Sequence, residues 1–561
     1  MSNNKVYMFV PPAHDWGMPL MALPLLKAYV QQNIECKVID INVDFFNYIW
    51  GKDYLDSLKH SIKKSIDDND MLVSVDTSID LEKRILFKRL NDKEYVLSRK
   101  IHAIDEWYSS QKVYEFLESE SETEKILDLL LDSYSLEDGK AFAISIGVED
   151  QIVPSFIIMK LLKRKFKHIP IILGGNIVSR LVDNLSVSKL KDYFDILIAG
   201  EGEKSLPFVL EKILSETKSE NIGPIVRCAE KETRFEKKWY ENTPDFDDIN
   251  WASYLCPVAV LPITLNRKCD WGKCDFCAIH VCWTAEHRER EIDDVITEIY
   301  YYIEKYNVKY FRIVDENVSA KLLDKFSDRI IEKNISIYYE MYTRFDKKFF
   351  DYQFVKKLYN SGCRQIFWGI ENIDDDALKF MNKGTNQNII NVTLENTAKA
   401  GILNYCFILT GVPHISVETE KKTIEYIIQN KNIHVAAIGS YVVDRLSPIE
   451  VNDIIRSKYH ISLYDIGDLT TEIGYLYEGC NQNKKVKLRT IGYIKEIYSK
   501  RPDYALSSLL NEETRFVLTQ KYGNQFITEY ISGLSEKELV VIEKEAIERV
   551  VEERVLRNSE V

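Results

Sequence analysis

The chain has 561 residues, of which 45% are hydrophobic and 29% charged, and its formal net charge is -13 at pH 7. At roughly 150 residues per domain this length predicts three or four folding units, and the composition excludes a disordered chain. The negative charge argues against a nucleic-acid-binding surface, because such a surface needs basic residues to displace counterions from phosphates.

Cysteine usage and apolar run lengths favour a cytoplasmic protein with no membrane partner. The ten cysteines are scattered, apart from three that stand close together, and do not form a secreted disulfide framework. The first apolar run, residues 6–10, stops at Pro11 and Pro12 and is too short for a signal sequence. No stretch approaches the ~20 apolar residues that span a bilayer.

The amino-terminal region alternates between predicted strands and helices. Residues 6–10, 19–32 and 35–41 form a strand, helix, strand unit, which implies parallel strands and a right-handed crossover. A charged, aromatic-rich helical insertion over about 45–135 interrupts the sheet. The alternation then resumes, with strands at 141–147, 169–173 and 195–199. We therefore predict a doubly wound, Rossmann-like α/β domain over residues 1–210.

Three loops with small residues follow the later strands of this domain. They are Ser145-Ile146-Gly147, Gly174-Gly175-Asn176 and Gly200-Glu201-Gly202-Glu203. Ligands of such sheets bind beyond the carboxyl ends of the strands, and glycine lets the backbone approach a bulky ligand closely. Any one loop is consistent with ordinary turn chemistry, but the three together favour a ligand-binding edge.

A polar linker over residues 211–250 leads to a predicted strand at 258–265 and then to Cys269, Cys274 and Cys277. Three thiols on one short loop can converge on one metal centre. On a four-iron, four-sulfur cube they would leave one iron open to a small molecule. The spacing is equally that of a plant-type two-iron ferredoxin with a distant fourth ligand. With Cys282 added, it also fits a closed four-thiolate site for zinc or iron.

The rest of residues 251–455 predicts a partial, TIM-like (β/α)6 barrel, followed by a helical region over residues 456–561. The later strands are expected at 310–314, 335–342, 365–370, 404–409 and 434–442. Polar residues follow the strands at the edge where barrels place reactive groups. A ferredoxin or a zinc clasp does not explain this scaffold, so the barrel favours the open cube.

The barrel region resembles the radical S-adenosylmethionine (SAM) superfamily, and within it the cobalamin-dependent subgroup. Cys269, Cys274 and Cys277 match the ligands of a [4Fe-4S] cluster, with one extra residue in the first gap. The resemblance implies that Phe276 lies beside the adenine of SAM and that Glu371 bonds the ribose hydroxyls. The other implied SAM contacts are Glu316, with Asp315 as the alternative, Arg344, Gly411 and Pro413.

Residues 1–210 resemble the cobalamin-binding domain that precedes the barrel in many members of that family. The implied cobalamin contacts are Ser145, Gly147, Gly174, Gly175, Asn176, Gly200, Glu201 and Gly202. The Asp-x-His-x-x-Gly signature that places a histidine on cobalt in some relatives is absent. The segment His14-Asp15-Trp16-Gly17 does not match it.

The resemblance implies an enzyme that cleaves SAM reductively to a 5′-deoxyadenosyl radical and then methylates an unactivated carbon from methylcobalamin. A peptide or natural-product substrate and an electron donor such as flavodoxin or ferredoxin are implied with it. Three alternatives stay open. They are a rearrangement or cyclisation without methylation, radical chemistry beside a vestigial amino-terminal domain, and a non-catalytic iron-sulfur or corrinoid-binding protein.

Overall fold

The computed structural model describes residues 5–214, 224–227, 240–279 and 286–555. The strands of the amino-terminal region are β1 (Lys5–Val10), β2 (Glu35–Asp40), β3 (Phe87–Arg89), β4 (Tyr95–Leu97), β5 (Lys100–His102), β6 (Gly139–Ser145), β7 (Ile171–Gly174), β8 (Ile196–Ala199) and β9 (Ile225–Arg227). Its helices are α1 (Ala22–Val30), α2 (Ile41–Trp50), α3 (Lys52–Asp67), α4 (Met71–Arg84), α5 (Ser110–Leu117), α6 (Glu122–Asp132), α7 (Ile152–Lys165), α8 (Asn176–Val187) and α9 (Gly202–Leu214).

A parallel six-stranded sheet in the order β2-β1-β6-β7-β8-β9 organises this region. Successive side chains of β1 enter two different cores: Val6 and Met8 pack on one face of the sheet, and Tyr7 and Phe9 on the other. A strand that is buried on both faces and covered by helices is typical of a doubly wound sheet. The predicted fold class is confirmed here.

Two predicted segments differ from the expectation. The insertion over 45–135 is not purely helical, because β3, β4 and β5 form an antiparallel sheet within it. The predicted linker supplies β9, which pairs with β8, and its acidic run packs on the domain. There the ammonium of buried Lys27 lies 2.7 Å from Asp248 and 3.4 Å from Asp245. Short strands and ion pairs leave little periodicity, so the sequence pattern missed them.

The middle region forms a second parallel sheet in the order β10-β13-β14-β15-β16-β17. Its strands, with a short pair beside the cysteines, are β10 (Val260–Ile263), β11 (Asn266–Arg267), β12 (Arg288–Glu289), β13 (Tyr310–Ile313), β14 (Tyr338–Thr343), β15 (Cys363–Glu371), β16 (Leu403–Thr410) and β17 (Val435–Ser440). Its helices are α10 (Ile292–Tyr306), α11 (Ala320–Glu332), α12 (Tyr352–Asn360), α13 (Asp375–Phe380), α14 (Gln387–Ala400) and α15 (Val417–Gln429). The six strands of the sheet are those expected, so the predicted partial barrel is confirmed.

The two faces of this second sheet are buried to different extents. Side chains that point toward the helices, such as Trp368 and Cys406, are fully buried. On the inner face Tyr342, Tyr405 and Phe407 are only partly buried. The inner face of an open barrel therefore borders space that its own strands do not fill.

The carboxyl-terminal region combines helices with a small sheet. Its helices are α16 (Pro448–Val451), α17 (Asp453–Lys458), α18 (Asn483–Lys500), α19 (Pro502–Ser508), α20 (Glu512–Tyr522), α21 (Phe526–Ser532) and α22 (Glu536–Val555). The strands β18 (Val443–Asp444), β19 (Ile461–Tyr464) and β20 (Glu472–Tyr477) form an antiparallel sheet that the helical prediction did not include. Within the described residues, no helix has both the length and the apolar character that a membrane span requires.

Candidate functional site

The cysteine loop starts from a short antiparallel ribbon at the carboxyl end of the first barrel strand. Strands β11 and β12 pair through Arg267 and Arg288, and the backbone of Lys268 and Gly272 is left-handed, with φ of 67° and 54°. Cys274 is buried, and Cys269 and Cys277 are partly buried. Cys282 lies outside the described residues.

The thiols lie among cations, and burial dominates their ionisation. Burial raises the pKa of Cys277 to about 12, and the Lys383 ammonium partly opposes this rise. Burial also raises the pKa of Cys269, and there the Arg344 guanidinium opposes it. The Arg344 guanidinium lies 3.7 Å from the sulfur of Cys274. Metal binding removes the thiol protons, and nearby cations stabilise the thiolates that result.

The cysteine loop carries thiols of the kind that the implied cluster needs. Within the described residues, no three histidine, cysteine, aspartate or glutamate side chains are arranged to hold a metal ion. The pKa of Cys277 nevertheless responds to both Cys274 and Cys269, so the three thiols share one electrostatic environment. Thiolate sulfur is the ligand that iron-sulfur clusters use, so three thiols on one loop with two cations beside them have the chemistry that such a cluster requires.

A tight segment after α13, residues 381–384, clasps the cysteine loop. The indole of Trp271 donates to the carbonyl of Asn382 at 3.0 Å, and the Asn382 amide donates to the carbonyl of Lys273 at 2.7 Å. A Cβ at Gly384 would lie 2.3 Å from the Trp271 ring. This clasp was not predicted from the sequence, although Asn382-Lys383-Gly384 directly after a helix is a turn signal.

The clasp brings Lys383 to the predicted SAM contacts Glu371 and Phe276. The Lys383 ammonium donates to the Glu371 carboxylate at 2.8 Å and lies 5.8 Å from the centre of the Phe276 ring. Glu371 has a φ of 59° at the end of β15, where the register with β16 shifts. Gly369 makes room for the pair, since a Cβ there would lie 2.7 Å from the ammonium.

Arg344 joins the clasp and the loop. Its guanidinium donates to the carbonyl of Lys383 and lies 4.7 Å from the centre of the Trp271 ring. The structure thus brings Phe276, Arg344 and Glu371 together around the cysteines. Their roles toward SAM stay predictions.

The residues after the second barrel strand serve the fold first. The carboxylate of buried Asp315 accepts a hydrogen bond from the Leu265 amide at 2.7 Å and another from the Thr264 hydroxyl, and burial raises its pKa to about 7. Asp315 therefore ties two strand ends together, and its role toward the amino group of SAM stays a prediction. Glu316 is partly buried beside it, and its role stays a prediction.

Gly411 and Pro413 lie in a buried loop after the fifth barrel strand, as predicted. The Gly411 amide donates to the Glu420 carboxylate at 2.6 Å, and a Cβ at Gly411 would lie 2.1 Å from Val486. Helix α18 of the carboxyl-terminal region therefore covers this loop. Arg489 of the same helix pairs with Glu420 at 2.8 Å, so this region helps to form the barrel mouth.

The predicted cobalamin contacts lie at the carboxyl ends of the neighbouring strands β6, β7 and β8. Gly175 has a φ of 113°, and a Cβ there would lie 2.3 Å from the carbonyl of Ile146. The amide of Gly147 donates to Gln151 at 2.8 Å, and that of Gly200 to Ser179 at 2.9 Å. The three loops form one edge, which includes Ser145, Gly174, Asn176 and Gly202, and their contact with cobalamin stays a prediction.

Glu201 and Glu203 connect that edge to the cysteine loop. The Glu203 carboxylate pairs with Arg267, and the Glu201 carboxylate pairs with Arg288 and lies 3.6 Å from Arg267. Burial would raise the pKa of Glu203, but the Arg267 guanidinium outweighs it and the pKa lies below its ordinary value. Glu201, predicted as a cobalamin contact, has its carboxylate engaged with these arginines. The loop after β8 therefore contacts the ribbon from which the cysteine loop starts.

No family model matches the chain. Among curated proteins, it is 28% identical over 177 residues to bacteriochlorophyllide d C-12(1)-methyltransferase of Chlorobaculum tepidum, covering 31% of this chain and 38% of that protein. It is also 28% identical over 140 residues to the anaerobic magnesium-protoporphyrin IX monomethyl ester cyclase of Synechocystis sp., covering 25% of this chain and 28% of the cyclase. The chain thus matches about a third of the length of these relatives.

Two kinds of solved structure match over nearly the whole chain. The radical SAM methyltransferase TsrM from Kitasatospora setae, with cobalamin and a [4Fe-4S] cluster bound, gives a TM-score of 0.59 at 13% identity, covering 98% of this chain and 100% of that one. The cobalamin-dependent SAM radical enzyme OxsB, with aqua-cobalamin bound, gives 0.58 at 12% identity, covering 98% of this chain and 80% of that one. These matches show that the chain shares its overall fold with both proteins.

Proposed function

Because the chain has the fold of the cobalamin-binding radical SAM family, we propose that it is a cobalamin-dependent radical SAM enzyme that methylates an unactivated carbon. The observation that carries this proposal is the junction of the two sheets. There a three-thiol loop rises from the first barrel strand, and the glycine-rich edge of the other sheet is tied to it through Arg267. The loop that would hold a redox cluster is therefore joined to the edge that would hold a flat ligand.

When bound, the [4Fe-4S] cluster and SAM would supply a carbon-centred radical, and cobalamin would supply a methyl group. Cys269, Cys274 and Cys277 would hold the cluster, and the charges of Arg344 and Lys383 would stabilise its thiolates. Glu371 would accept hydrogen bonds from two ribose hydroxyls, with Lys383 fixing the orientation of its carboxylate. The loop at Gly411, held under α18, would border the adenine.

The glycine edge would hold the corrinoid. At Gly175 the backbone passes so close to Ile146 that no side chain fits, so only glycine allows the two loops to approach each other at this edge. His14 does not match the cobalt-binding signature. Burial lowers its pKa to about 4, and its own amide donates to Asn42 at 3.0 Å.

One relative in sequence is a methyltransferase and the other is a cyclase, so a reaction without methyl transfer is the second candidate. Both candidates need the same cluster and the same SAM contacts. They differ in the fate of the methyl group, which isotope labelling follows.

The test is anaerobic reconstitution with iron and sulfide, followed by three measurements. We expect a brown protein with four irons per chain, uptake of hydroxocobalamin, and release of 5′-deoxyadenosine from SAM under a strong reductant. Absence of 5′-deoxyadenosine would favour a non-catalytic iron-sulfur protein. Absence of corrinoid uptake would favour a vestigial amino-terminal domain.

The matched control replaces cysteines one at a time. Cys277→Ala is expected to abolish 5′-deoxyadenosine release, whereas Cys363→Ala is expected to keep it, because Cys363 lies fully buried at the opposite end of β15 from Glu371. Loss of activity in both variants would mean that the first result reports folding rather than cluster binding.

A further inference from the structure

Two carboxylates of the glycine-rich edge and two guanidinium groups beside the cysteine loop form one buried ion-pair network. This charge quartet consists of Glu201, Glu203, Arg267 and Arg288. Arg267 pairs with Glu203 and lies 3.6 Å from Glu201, and Glu201 also pairs with Arg288. The four side chains are between 7% and 12% exposed. Two negative charges thus meet two positive charges in a place that water hardly reaches.

The two arginines stand opposite each other on the ribbon from which the cysteine loop starts. Strands β11 and β12 of this ribbon have two residues each. Toward the loop, the His287 imidazole lies 2.6 Å from the carbonyl oxygen of Lys268, and Cys269 is the next residue. A two-stranded ribbon this short is marginally stable by itself, so its order depends on its contacts with the rest of the protein.

The base of the ribbon is fixed to the barrel, whereas its tip leads into the cysteine loop. At the base, the Arg290 amide donates to the carbonyl of Leu265 at 2.8 Å, and the Arg290 guanidinium pairs with buried Glu298 at 2.8 Å. At the tip, Lys268 has a φ of 67°, and the chain turns there into the loop. The tip is therefore the part whose order a cluster on the three cysteines would fix.

The glutamates of the quartet belong to the third loop of the predicted corrinoid edge. Gly200 in this loop has a φ of 94°, and its amide donates to Ser179 at 2.9 Å. Glu203 lies in the first turn of α9, where the helix dipole favours a carboxylate. Glu201 and Glu203 tie this loop to the ribbon, and a corrinoid bound at the edge would fix the same loop.

The quartet makes the order of the ribbon and the order of the loop after β8 depend on each other. Separating a buried charge from its partner is strongly unfavourable, so the two segments keep their arrangement together. A ligand that orders either segment thereby orders the other. The first ligand to bind bears the loss of conformational entropy of both segments, and the second binds a site that is already ordered.

From this arrangement we infer that the iron-sulfur cluster and the corrinoid bind cooperatively, with the charge quartet as the coupling element and Arg288 as a positioning residue. The inference rests on the proposed function, because it concerns the regulation of that same site. A protein without corrinoid would hold its cysteine loop less firmly. Radical formation would then be limited when the methyl donor is absent.

The test measures, by equilibrium dialysis, the Kd of cyanocobalamin for the full-length protein before and after anaerobic reconstitution of the cluster. Cyanocobalamin is the probe because its cyanide blocks ligation of the cobalt by the free thiols of the cluster-free protein. We expect the reconstituted protein to bind at least ~10-fold more tightly, within the range of about 5–150-fold that is typical of coupled sites. Equal Kd values in the two states would overturn the inference.

Substitution of Arg288 tests the role of the quartet. Arg288→Gln leaves Glu201 with Arg267 at 3.6 Å, and we expect the ratio of the two Kd values to fall to ~3-fold or less. Arg288→Lys keeps the charge and is expected to retain most of the ratio. Arg227→Gln, which removes an exposed pair with Asp183, is expected to keep the full ratio. A full ratio in Arg288→Gln would overturn the assignment.

A second variant serves if Arg288→Gln does not fold. Glu203→Gln removes the negative charge that pairs with Arg267 but leaves Glu201 near both arginines. Part of the quartet therefore persists, and we expect this variant to lose part of the ratio of the two Kd values. An unchanged ratio would overturn the role of the quartet.

The outcome is distinguishable from that of the test of the proposed function. A tighter Kd after reconstitution, in a protein that releases no 5′-deoxyadenosine, would support the coupling and contradict the radical chemistry. Equal Kd values in a protein that releases 5′-deoxyadenosine would overturn the coupling alone. Absence of cyanocobalamin binding in both states would contradict the proposed corrinoid site and overturn the coupling with it.

Discussion

Replacing Arg267 with glutamine is expected to loosen the junction between the two sheets. The side chain of Arg267 is 7% exposed, and its partners Glu201 and Glu203 are 8% and 12% exposed. In Arg267→Gln, Glu201 keeps Arg288, but Glu203 loses the guanidinium with which it pairs. A buried carboxylate left without its partner typically costs 3–5 kcal/mol, roughly the range we expect here.

The effect depends on pH in a direction that the charges fix. The pKa of Glu203 lies below its ordinary value, so in the native protein its ion pair stabilises the fold above the unfolded pKa of about 4.3. That stabilisation is lost as the pH falls through the lower folded pKa. Arg267→Gln removes the largest lowering influence, so the pKa of Glu203 rises relative to the native protein, because burial is then opposed only by Arg288 and a backbone hydrogen bond. The deficit is therefore expected to be largest near pH 7 and to shrink below about pH 5, as the carboxylate becomes protonated.

The assay is the urea midpoint of the first unfolding transition, because a chain of several domains need not unfold in one step. Arg227→Gln is the matched control. It removes an arginine-aspartate pair of 2.5 Å whose side chains are 54% and 84% exposed, and exposed pairs contribute about 0–1 kcal/mol. The double variant Arg267→Gln, Glu203→Gln is expected to recover much of the loss. A single variant no less stable than the control would refute the reasoning.

Two further substitutions test the ligand edges. Gly175→Ala is expected to abolish corrinoid uptake, because the φ of 113° and the approach to Ile146 cost about 1–3 kcal/mol in backbone strain alone. The control Gly492→Ala lies in helix α18 with nothing within 4 Å and should be stabilising. Normal corrinoid uptake by Gly175→Ala would contradict the role of the glycine-rich edge in cobalamin binding. Glu371→Gln is expected to weaken SAM binding about 10-fold, since hydrogen bonds to a charged acceptor contribute about 1.5–3 kcal/mol, and to leave the iron content unchanged. Undiminished SAM affinity in equilibrium dialysis would contradict hydrogen bonding of Glu371 to the ribose hydroxyls.

Sequence periodicity was sufficient for the two parallel sheets, apart from the edge strand β9. Strands such as β15 and β16 are long and apolar, and the helices between them are amphipathic, so their order follows from burial alone. The antiparallel sheet of β3, β4 and β5 escaped prediction because its three-residue strands leave no periodic signal. Strand β9 escaped because it is only three residues long and follows a polar stretch.

The site was predictable where the residues are close in sequence. The spacing of the cysteines identified the loop directly. The clasp through Lys383 and the pairing of Glu201 with Arg288 join residues far apart in the chain, and nothing local in the sequence indicates such partners.

The most direct test of the central claim is the electron paramagnetic resonance spectrum of the reduced, reconstituted protein before and after addition of SAM. A cube held by Cys269, Cys274 and Cys277 alone has one open iron, so SAM is expected to change the spectrum in the native protein and equally in Cys282→Ala. A spectrum that SAM leaves unchanged in the native protein, or a cluster that is lost in Cys282→Ala, would show that the fourth iron is already occupied and would contradict the account.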